Sequence, residues 1–253
     1  MRKGFVGRRE DLAALKAHIA SEATTPLVVT GPAGIGKSAL LSKLVDELAI
    51  DESVDVVKLF VGANRDSFLV EQVLRFLTLS LNKVSLRPLF LTEKKLNSGK
   101  AQLDDQERCC HWQTKVTPTL SMLCAGIRSS WVQLLNACAE RQEPSDRVVI
   151  ILDGLQHLSA ADNAHALEWL PKELSPRVKL IVSTTEAHVT FAELKRRSLT
   201  AYKLKPLPQD EAKALVRAFL DTYHKKLCED ESNGLLGDQM AVLMSKEEAD
   251  TPL

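Results

Sequence analysis

The stretch Leu27-Val-Val-Thr-Gly-Pro-Ala-Gly-Ile-Gly-Lys-Ser38 decides the fold of this chain. It reads as a short apolar β-run, a glycine-rich turn and the start of a helix. Its second part, Gly31–Ser38, matches G-x-x-x-x-G-K-S/T, the pattern of a phosphate-binding loop, or P-loop. Residues 26–30 are the predicted strand and residues 38–48 the predicted helix. The sequence therefore predicts an α/β fold in which a strand leads into an anion-binding turn.

Each position of the P-loop has a chemical reason. Glycines let backbone N–H groups converge on phosphate oxygens with no Cβ in the way. Lys37 supplies a mobile cation for the β- and γ-phosphates, and Ser38 supplies a hydroxyl to Mg²⁺. We therefore predict a nucleotide site with bound Mg²⁺. The predicted loop contacts are Gly31, Pro32, Ala33, Gly34, Ile35, Gly36, Lys37, Ser38 and Ala39.

A second motif is Val148-Val-Ile-Ile-Leu-Asp153, an apolar run that ends in one aspartate. Such a run is typical of a fully buried parallel strand. Because ligands bind at the carboxyl ends of parallel strands, Asp153 is expected near the P-loop, where it holds Mg²⁺ directly or through water. The run alone is a weak signal, and it gains weight from the P-loop before it. The alternative role of Asp153 is to cap the next helix.

A further predicted strand, Leu180-Ile-Val-Ser-Thr-Thr185, ends in hydroxyl residues. Its end is expected beside Asp153. Thr184 is the first candidate to sense the γ-phosphate or hold an attacking water, and Ser183 is the second. A threonine-rich strand end without such a role is an equally open alternative.

Near the N-terminus, Val6 and Gly7 precede an amphipathic helix with Leu12, Leu15 and Ile19 at helical spacing. An apolar side chain and a glycine are suited to sandwich an adenine base, because glycine permits close approach. The competing interpretation is a surface helix on the edge of the domain.

The rest of the chain alternates predicted strands and helices around one poorly patterned segment. That segment, an insertion at about 85–115, contains Cys109-Cys110-His111, but adjacent cysteines do not have the spacing of a zinc site. We predict a nucleotide-binding core over 1–205 and the start of a helical lid over 206–253. The other predicted elements are a strand at 54–61, helices at 68–81 and 118–141, a strand at 202–208 and a helix at 209–223.

Composition narrows the class of protein. The 253 residues include 33 Lys+Arg and 33 Asp+Glu, so nothing suggests bulk attraction to nucleic acid. Five irregularly placed cysteines do not form a disulfide framework, which favours a reducing, cytoplasmic location. No apolar stretch is long enough to span a bilayer, and no signal peptide opens the chain.

Several stretches together resemble one family. Phe5-Val-Gly-Arg8, the P-loop, the Asp153 strand, Leu167-Glu-Trp-Leu-Pro171 and Leu204-Lys-Pro-Leu-Pro-Gln-Asp-Glu-Ala212 occur in this order. The combination resembles the NTPase module of the STAND class, in the NACHT-like branch of nephrocystin-type and NACHT–WD-repeat proteins. The resemblance covers most of the chain except residues 85–115. It implies a three-layer α/β fold with a parallel central sheet, followed by a partial helical lid.

The resemblance also implies a function. It implies an ATP/ADP-binding regulatory switch in which Lys37, Ser38 and Asp153 keep the family's roles and Thr184 is the sensor. It implies protein partners bound through parts absent from this chain, nucleotide-dependent self-association and, in some relatives, association with cilia. Two departures concern turnover: Gly154 stands where an acid would follow Asp153, and Gln156 cannot act as a base. ATP hydrolysis is therefore expected to be weak or absent.

The end of the chain is a third departure. Thr251-Pro-Leu253 resembles the start of a lid helix, so the chain is expected to be a fragment, a short isoform or an incomplete gene product.

Other classes of protein remain as alternatives. A GTPase would need N-K-x-D, and Asn82-Lys-Val-Ser85 lacks its carboxylate. A transporter ATPase would carry an LSGGQ-like signature, and a helicase would have acids after Asp153. A non-hydrolysing interaction scaffold that retains the P-loop fold is the remaining alternative.

Overall fold

A computed structural model of the protein describes residues 5–63, 67–94, 131–140, 147–228 and 238–246. Two short 3₁₀ segments, Leu155–His157 and Ala161–Ala166, lie between the third and fourth strands. The described elements are, in chain order, α1 (Arg9–Ala20), β1 (Leu27–Thr30), α2 (Lys37–Leu48), β2 (Val54–Phe60), α3 (Val70–Lys94), α4 (131–139), β3 (Arg147–Asp153), β4 (Val178–Thr184), α5 (Val189–Arg196), β5 (Thr200–Lys203), α6 (Gln209–Thr222) and α7 (Gln239–Met244).

The five strands form one parallel sheet in the order β2-β3-β4-β1-β5. Parallel strands place all their carboxyl ends at the same edge of the sheet. The P-loop after β1 and the aspartate at the end of β3 therefore lie at one edge, with β4 between them. This order is what brings the two sequence motifs together.

Helices cover both faces of the sheet. On one face, α1 and α2 pack on a cluster that includes Val29, Val149 and Ile151. On the other, α3, α4 and α5 pack on a cluster that includes Ile150 and Leu152. Neighbouring residues of β3 thus point to opposite faces, and both faces are apolar because both are covered. The predicted three-layer α/β fold with a parallel central sheet is confirmed.

Some boundaries differ from the sequence-based predictions. The helix predicted at 68–81 was expected to end at residue 81, but α3 continues to Lys94 and occupies the start of the expected insertion. It continues because Leu77, Leu81 and Val84 keep helical spacing and pack on the core. The strand predicted at 202–208 ends at Lys203, since the prolines that follow cannot donate ladder hydrogen bonds.

The remaining insertion, including Cys109-Cys110-His111, lies outside the described residues, as does most of the helix predicted at 118–141. Among the helices that the structure describes, none combines the length and the apolar character that crossing a bilayer requires.

The packing of the sheet core predicts that truncating a buried leucine lowers the free energy of unfolding much more than truncating an exposed one. Leu180 is fully buried in β4, whereas Leu79 on α3 is 46% exposed. Leu180→Ala should lower the free energy of unfolding by about 2–5 kcal/mol, because it removes buried methyl groups and leaves a cavity. Leu79→Ala should lower it by less than about 1 kcal/mol. Chemical denaturation of both variants measures the difference, and equal losses would contradict this packing.

Candidate functional site

The turn between β1 and α2 has the backbone of an anion-binding loop. Gly34 and Gly36 have φ of +81° and +94°, in the left-handed region that favours glycine. Helix α2 begins at Lys37, with no side-chain cap on its N-terminal N–H groups and no acidic residue in its first turn. Its N-terminal N–H groups and positive dipole end are therefore free to meet an anion.

The Lys37 side chain carries a buried positive charge at this turn. Its ammonium donates hydrogen bonds to the carbonyl oxygens of Gly31 at 2.8 Å and of Pro32 at 2.7 Å. Burial lowers the pKa of Lys37, and the negative charges of Asp153 and Glu186 oppose that effect. Within the described part of the chain, the ammonium has carbonyl partners and no ion pair.

Asp153 is buried at the carboxyl end of β3. Its Oδ1 accepts a hydrogen bond from the hydroxyl of Ser183 at 2.5 Å, and the same hydroxyl accepts one from the N–H of Gly154 at 2.8 Å. Ser183 is paired in register with Val29, one residue before the end of β1. The Ser183 hydroxyl thus holds Oδ1 of Asp153 at the end of β4, the strand that lies between β1 and β3.

Thr184, the first candidate for the sensor position, does not join this group. Its buried hydroxyl lies 2.7 Å from the hydroxyl of Thr190 on α5, which lies 2.9 Å from Nδ1 of His188. Successive residues of a strand point to opposite faces, so Ser183 and Thr184 cannot both face α2. The structure brings the second candidate, Ser183, to Asp153 and places Thr184 on the α5 face.

The other predicted loop residues differ in exposure. Ser38 lies in the first turn of α2 with its hydroxyl open to solvent, as the proposed Mg²⁺ ligand requires. Ile35 is buried and packs in the cluster beneath α1 and α2. Gly31 is also buried. Pro32, Ala33 and Ala39 are exposed, and Gly34 and Gly36 are half-buried.

These residues fit a nucleotide with Mg²⁺. Lys37 and Asp153 carry opposite charges that influence each other, yet they form no direct ion pair in the described residues. A buried cation at a free helix N-terminus suits phosphate, and a buried carboxylate with an exposed hydroxyl nearby suits Mg²⁺. Mg²⁺ usually takes only one or two protein oxygens and completes its shell with phosphate and water.

Arg8 belongs to the stretch Phe5-Val-Gly-Arg8 that carries the family resemblance, but the sequence predicted no contact between its guanidinium and the P-loop. Its guanidinium is buried and donates to the carbonyl oxygen of Ile35 at 2.6 Å, of Lys205 at 3.0 Å, and to Oδ2 of Asp11 at 2.9 Å. It ties the Val6–Gly7 segment to the middle of the P-loop. One signal in the sequence could have indicated this role. Arg8 follows a glycine and occupies the N-cap position of α1, where Ser, Thr, Asp or Asn is the usual residue.

The backbone after Asp153 explains why no acid follows it. Gly154 has φ of +81°, and a Cβ there would lie 2.9 Å from Cδ2 of His157. Gln156 reaches 3.0 Å from the ring of His157 with its amide nitrogen, while its amide oxygen is buried with no partner in the described residues. A residue with a side chain at position 154 would therefore be strained by its backbone conformation and would require the His157 ring to shift.

An ion pair crosses the start of the P-loop. Lys203 of β5 and Thr184 of β4 are both register partners of Thr30, and Glu186 follows two residues after Thr184. Glu186 accepts from the Lys203 ammonium at 3.0 Å, which places the pair over the end of β1. The Thr30 hydroxyl is buried there without a partner in the described residues.

Comparisons with known proteins agree with this geometry. Residues 4–183 match the AAA ATPase domain family. NACHT domain- and WD repeat-containing protein 1 of Homo sapiens is 26% identical over 234 residues, which are 88% of this chain and 13% of that protein. Telomerase protein component 1 of Rattus norvegicus is 28% identical over 232 residues, which are 89% of this chain and 8% of that protein.

Two other similarities are shorter or more distant. TPR repeat-containing protein DDB_G0287407 of Dictyostelium discoideum is 31% identical over 100 residues, 40% of this chain and 6% of that protein. Domain III of the Thermotoga maritima replication initiation protein DnaA aligns with a TM-score of 0.43 at 14% identity, over 96% of this chain and 78% of that one.

The chain thus spans between 6% and 13% of the length of these curated relatives. The match to the ATPase family covers well over half of this chain, and the resemblance to NACHT proteins drawn from the motifs is confirmed. The chain belongs to the AAA ATPase domain family and is a NACHT-like P-loop NTPase module.

Proposed function

We propose that this chain is an ATP-binding regulatory switch that hydrolyses ATP slowly at most. The observation that carries the proposal is the buried ammonium of Lys37, which has only carbonyl partners in the described residues and lies at the free N-terminus of α2. A buried charge without a direct ion pair is costly, so an incoming phosphate gains more here than at a solvated lysine.

Each part of the site has a proposed role. The loop N–H groups and Lys37 bind the phosphates, and Val6 and Gly7 contact the adenine. Ser38 and Asp153 hold Mg²⁺, which neutralises phosphate charge when it is bound. Ser183 keeps the Asp153 carboxylate in one orientation by donating to Oδ1. This arrangement supports binding of ADP as well, since no residue that it uses depends on the γ-phosphate alone.

The proposal of slow turnover rests on the residues after Asp153. Gly154 supplies no carboxylate, and its backbone conformation disfavours a residue with a side chain. Gln156 can orient a water but cannot accept its proton. This observation also favours the second candidate function, a scaffold that binds nucleotide without hydrolysing it.

The switch role draws on the relatives and on α6. The names of the relatives include WD and TPR repeats, so we propose protein partners and nucleotide-dependent self-association for this protein. The irregular cysteine pattern supports the proposal of a cytoplasmic location. Residues 1–205 are the proposed core and 206–253 the proposed start of a lid. Helix α6 follows β5 directly and buries only Ala212, as expected of a lid helix that can move.

The experiment that tests the proposal is a titration of fluorescent ATP and GTP, with Mg²⁺, against the chain and its Lys37→Met variant. The parent should bind ATP in preference to GTP, and the variant should bind at least about tenfold more weakly because it lacks the charge-assisted contact. Lys58→Met, at an exposed lysine of β2, is the matched control. Equal affinities for Lys37→Met and the parent would refute the role of Lys37.

The same variant carries a stability prediction. Because burial lowers the pKa of Lys37 below 10.5, the unfolded chain holds its proton more tightly than the folded chain. The charge therefore opposes folding below the folded-state pKa, and this cost fades as the pH rises towards 10.5. Without nucleotide, Lys37→Met should melt higher than the parent at pH 7, and the difference should narrow in alkaline buffer. A variant that melts lower at pH 7 would contradict it.

Asp153→Asn should remove most of the Mg²⁺ dependence of ATP binding, since a neutral amide is a poor Mg²⁺ ligand. We expect Mg²⁺ to raise the parent's ATP affinity about tenfold and the variant's by less than about threefold. Asp162→Asn, at an exposed aspartate beyond β3, should behave as the parent. Equal stimulation of Asp153→Asn and the parent would exclude Asp153 as the Mg²⁺ residue.

Ser183→Ala and Thr184→Val separate the two sensor candidates. Ser183→Ala leaves the buried Gly154 N–H without its acceptor, so it should cost about 1–3 kcal/mol of stability and raise the Mg²⁺ concentration needed for ATP binding. Thr184→Val breaks the bond to Thr190 and should cost stability without changing the Mg²⁺ requirement. A changed requirement in Thr184→Val alone would restore Thr184 as the sensor.

A further inference from the structure

We infer that Glu211 of α6 is a positioning residue for the nucleotide site, and that its contact with Gly7 and Arg8 couples α6 to the P-loop. The inference rests on the proposed function, because it needs nucleotide to bind at the loop. Glu211 is the third residue of α6, within the stretch Leu204–Ala212 that is part of the family resemblance. No role for this carboxylate followed from the sequence alone.

The contact is close and depends on glycine. Oε2 of Glu211 accepts a hydrogen bond from the backbone N–H of Arg8 at 2.8 Å, between residues 203 positions apart. Gly7 has φ of +79°, and a Cβ at this residue would lie 2.3 Å from the same oxygen. The carboxylate therefore lies directly against the Gly7 backbone, and no side chain fits between them.

Arg8 makes its other contacts with Asp11, with the P-loop and with the segment that joins β5 to α6. Its guanidinium, with 4% of the side chain exposed, donates to the carbonyl oxygens of Ile35 and Lys205. A buried guanidinium that loses its acceptors leaves an uncompensated charge, so Arg8 and its acceptors are expected to move together. Arg8 thus contacts α6 through its backbone N–H and contacts the P-loop through its guanidinium.

Peptide geometry links this contact to the anion. The carbonyl of Ile35 and the N–H of Gly36 belong to the same planar peptide unit. An anion that binds the Gly36 N–H fixes the orientation of that plane and hence of the oxygen that Arg8 contacts. Because coupling between two sites is reciprocal, a contact that holds Arg8 from the α6 side also favours the binding orientation of the loop.

The far side of the contact is anchored to the sheet. Asp11 accepts from the Arg8 guanidinium with Oδ2 and from the Tyr202 hydroxyl with Oδ1 at 2.6 Å. Burial, together with the bond to Asp11, raises the pKa of Tyr202 to about 12, so the hydroxyl remains a donor at neutral pH. With Asp11 fixed to β5 in this way, α6 is the part that is free to respond.

The test compares Glu211→Ala and Glu211→Gln with Asp210→Ala in the full chain. Asp210 is an exposed acid in the same first turn, so its variant controls for the loss of helix-dipole stabilisation. The readouts are the affinity for fluorescent ATP with Mg²⁺ and amide hydrogen exchange over residues 31–38 and 209–222, with and without Mg-ATP.

In the parent and in Asp210→Ala, Mg-ATP should slow exchange in both segments. In Glu211→Ala it should slow exchange in 31–38 only, and ATP affinity should fall about tenfold, within the usual range of allosteric coupling. Glu211→Gln retains an acceptor oxygen, so its ATP affinity and its exchange in 209–222 should lie between those of the parent and Glu211→Ala. Before any nucleotide is added, exchange in 31–38 should already be faster in Glu211→Ala than in the parent.

The outcomes separate the two proposals. Parent-like affinity together with protected 209–222 in Glu211→Ala would overturn the coupling and leave ATP binding intact. A parent that does not bind Mg-ATP would overturn the proposed function and this inference with it. If Glu211→Ala does not fold, unchanged exchange in 31–38 of ligand-free Glu211→Gln would overturn the positioning role.

Discussion

The rest of the site depends on one buried charge that has no direct ion pair in the described residues, the ammonium of Lys37. Two backbone carbonyls stabilise it within the described residues, while Asp153 and Glu186 act on it through space. Gly34 and Gly36 follow in left-handed conformations and lead the chain from these carbonyls into α2. The loop thus holds the Lys37 ammonium away from water, where the ammonium gains more from binding an anion than a solvated lysine would. The N-terminus of α2 lies at the same point and also favours an anion.

Strand order brings a carboxylate to the same edge of the sheet as this charge. With β4 between β1 and β3, Asp153 and the loop lie at the carboxyl ends of strands that are separated by one strand. In the described residues, Lys37 and Asp153 influence each other through space without a direct ion pair. Ser183, in the intervening strand, holds the carboxylate and the Gly154 N–H together. The same hydrogen bonds hold the turn in which Gly154 has a positive φ, a conformation that disfavours an acidic residue directly after Asp153.

The sequence predicted the features that depend on local pattern. The P-loop, the buried strand ending at Asp153 and the parallel sheet follow from glycine spacing and apolar runs, which act over a few residues. The choice between Ser183 and Thr184 does not, because a strand of buried residues gives no alternation from which to read its faces. The end of α3 was misplaced because the pattern beyond residue 81 is weak, although Val84 still packs on the core.

The contacts of Arg8 and Glu211 lie beyond any local pattern, since they join residues about 200 positions apart. Their strength limits what they can do. A charge-assisted hydrogen bond contributes about 1.5–3 kcal/mol, which is the usual size of a coupling between two sites. Moving a two-state equilibrium from 1:99 to 99:1 needs about 5.5 kcal/mol. The Glu211 contact alone therefore biases the position of α6 without locking it. If the proposed switch is to respond fully to nucleotide, it needs further contacts between the bound nucleotide and α6. The Glu211 carboxylate then determines which position of α6 is favoured, and the further contacts determine how large the population shift becomes.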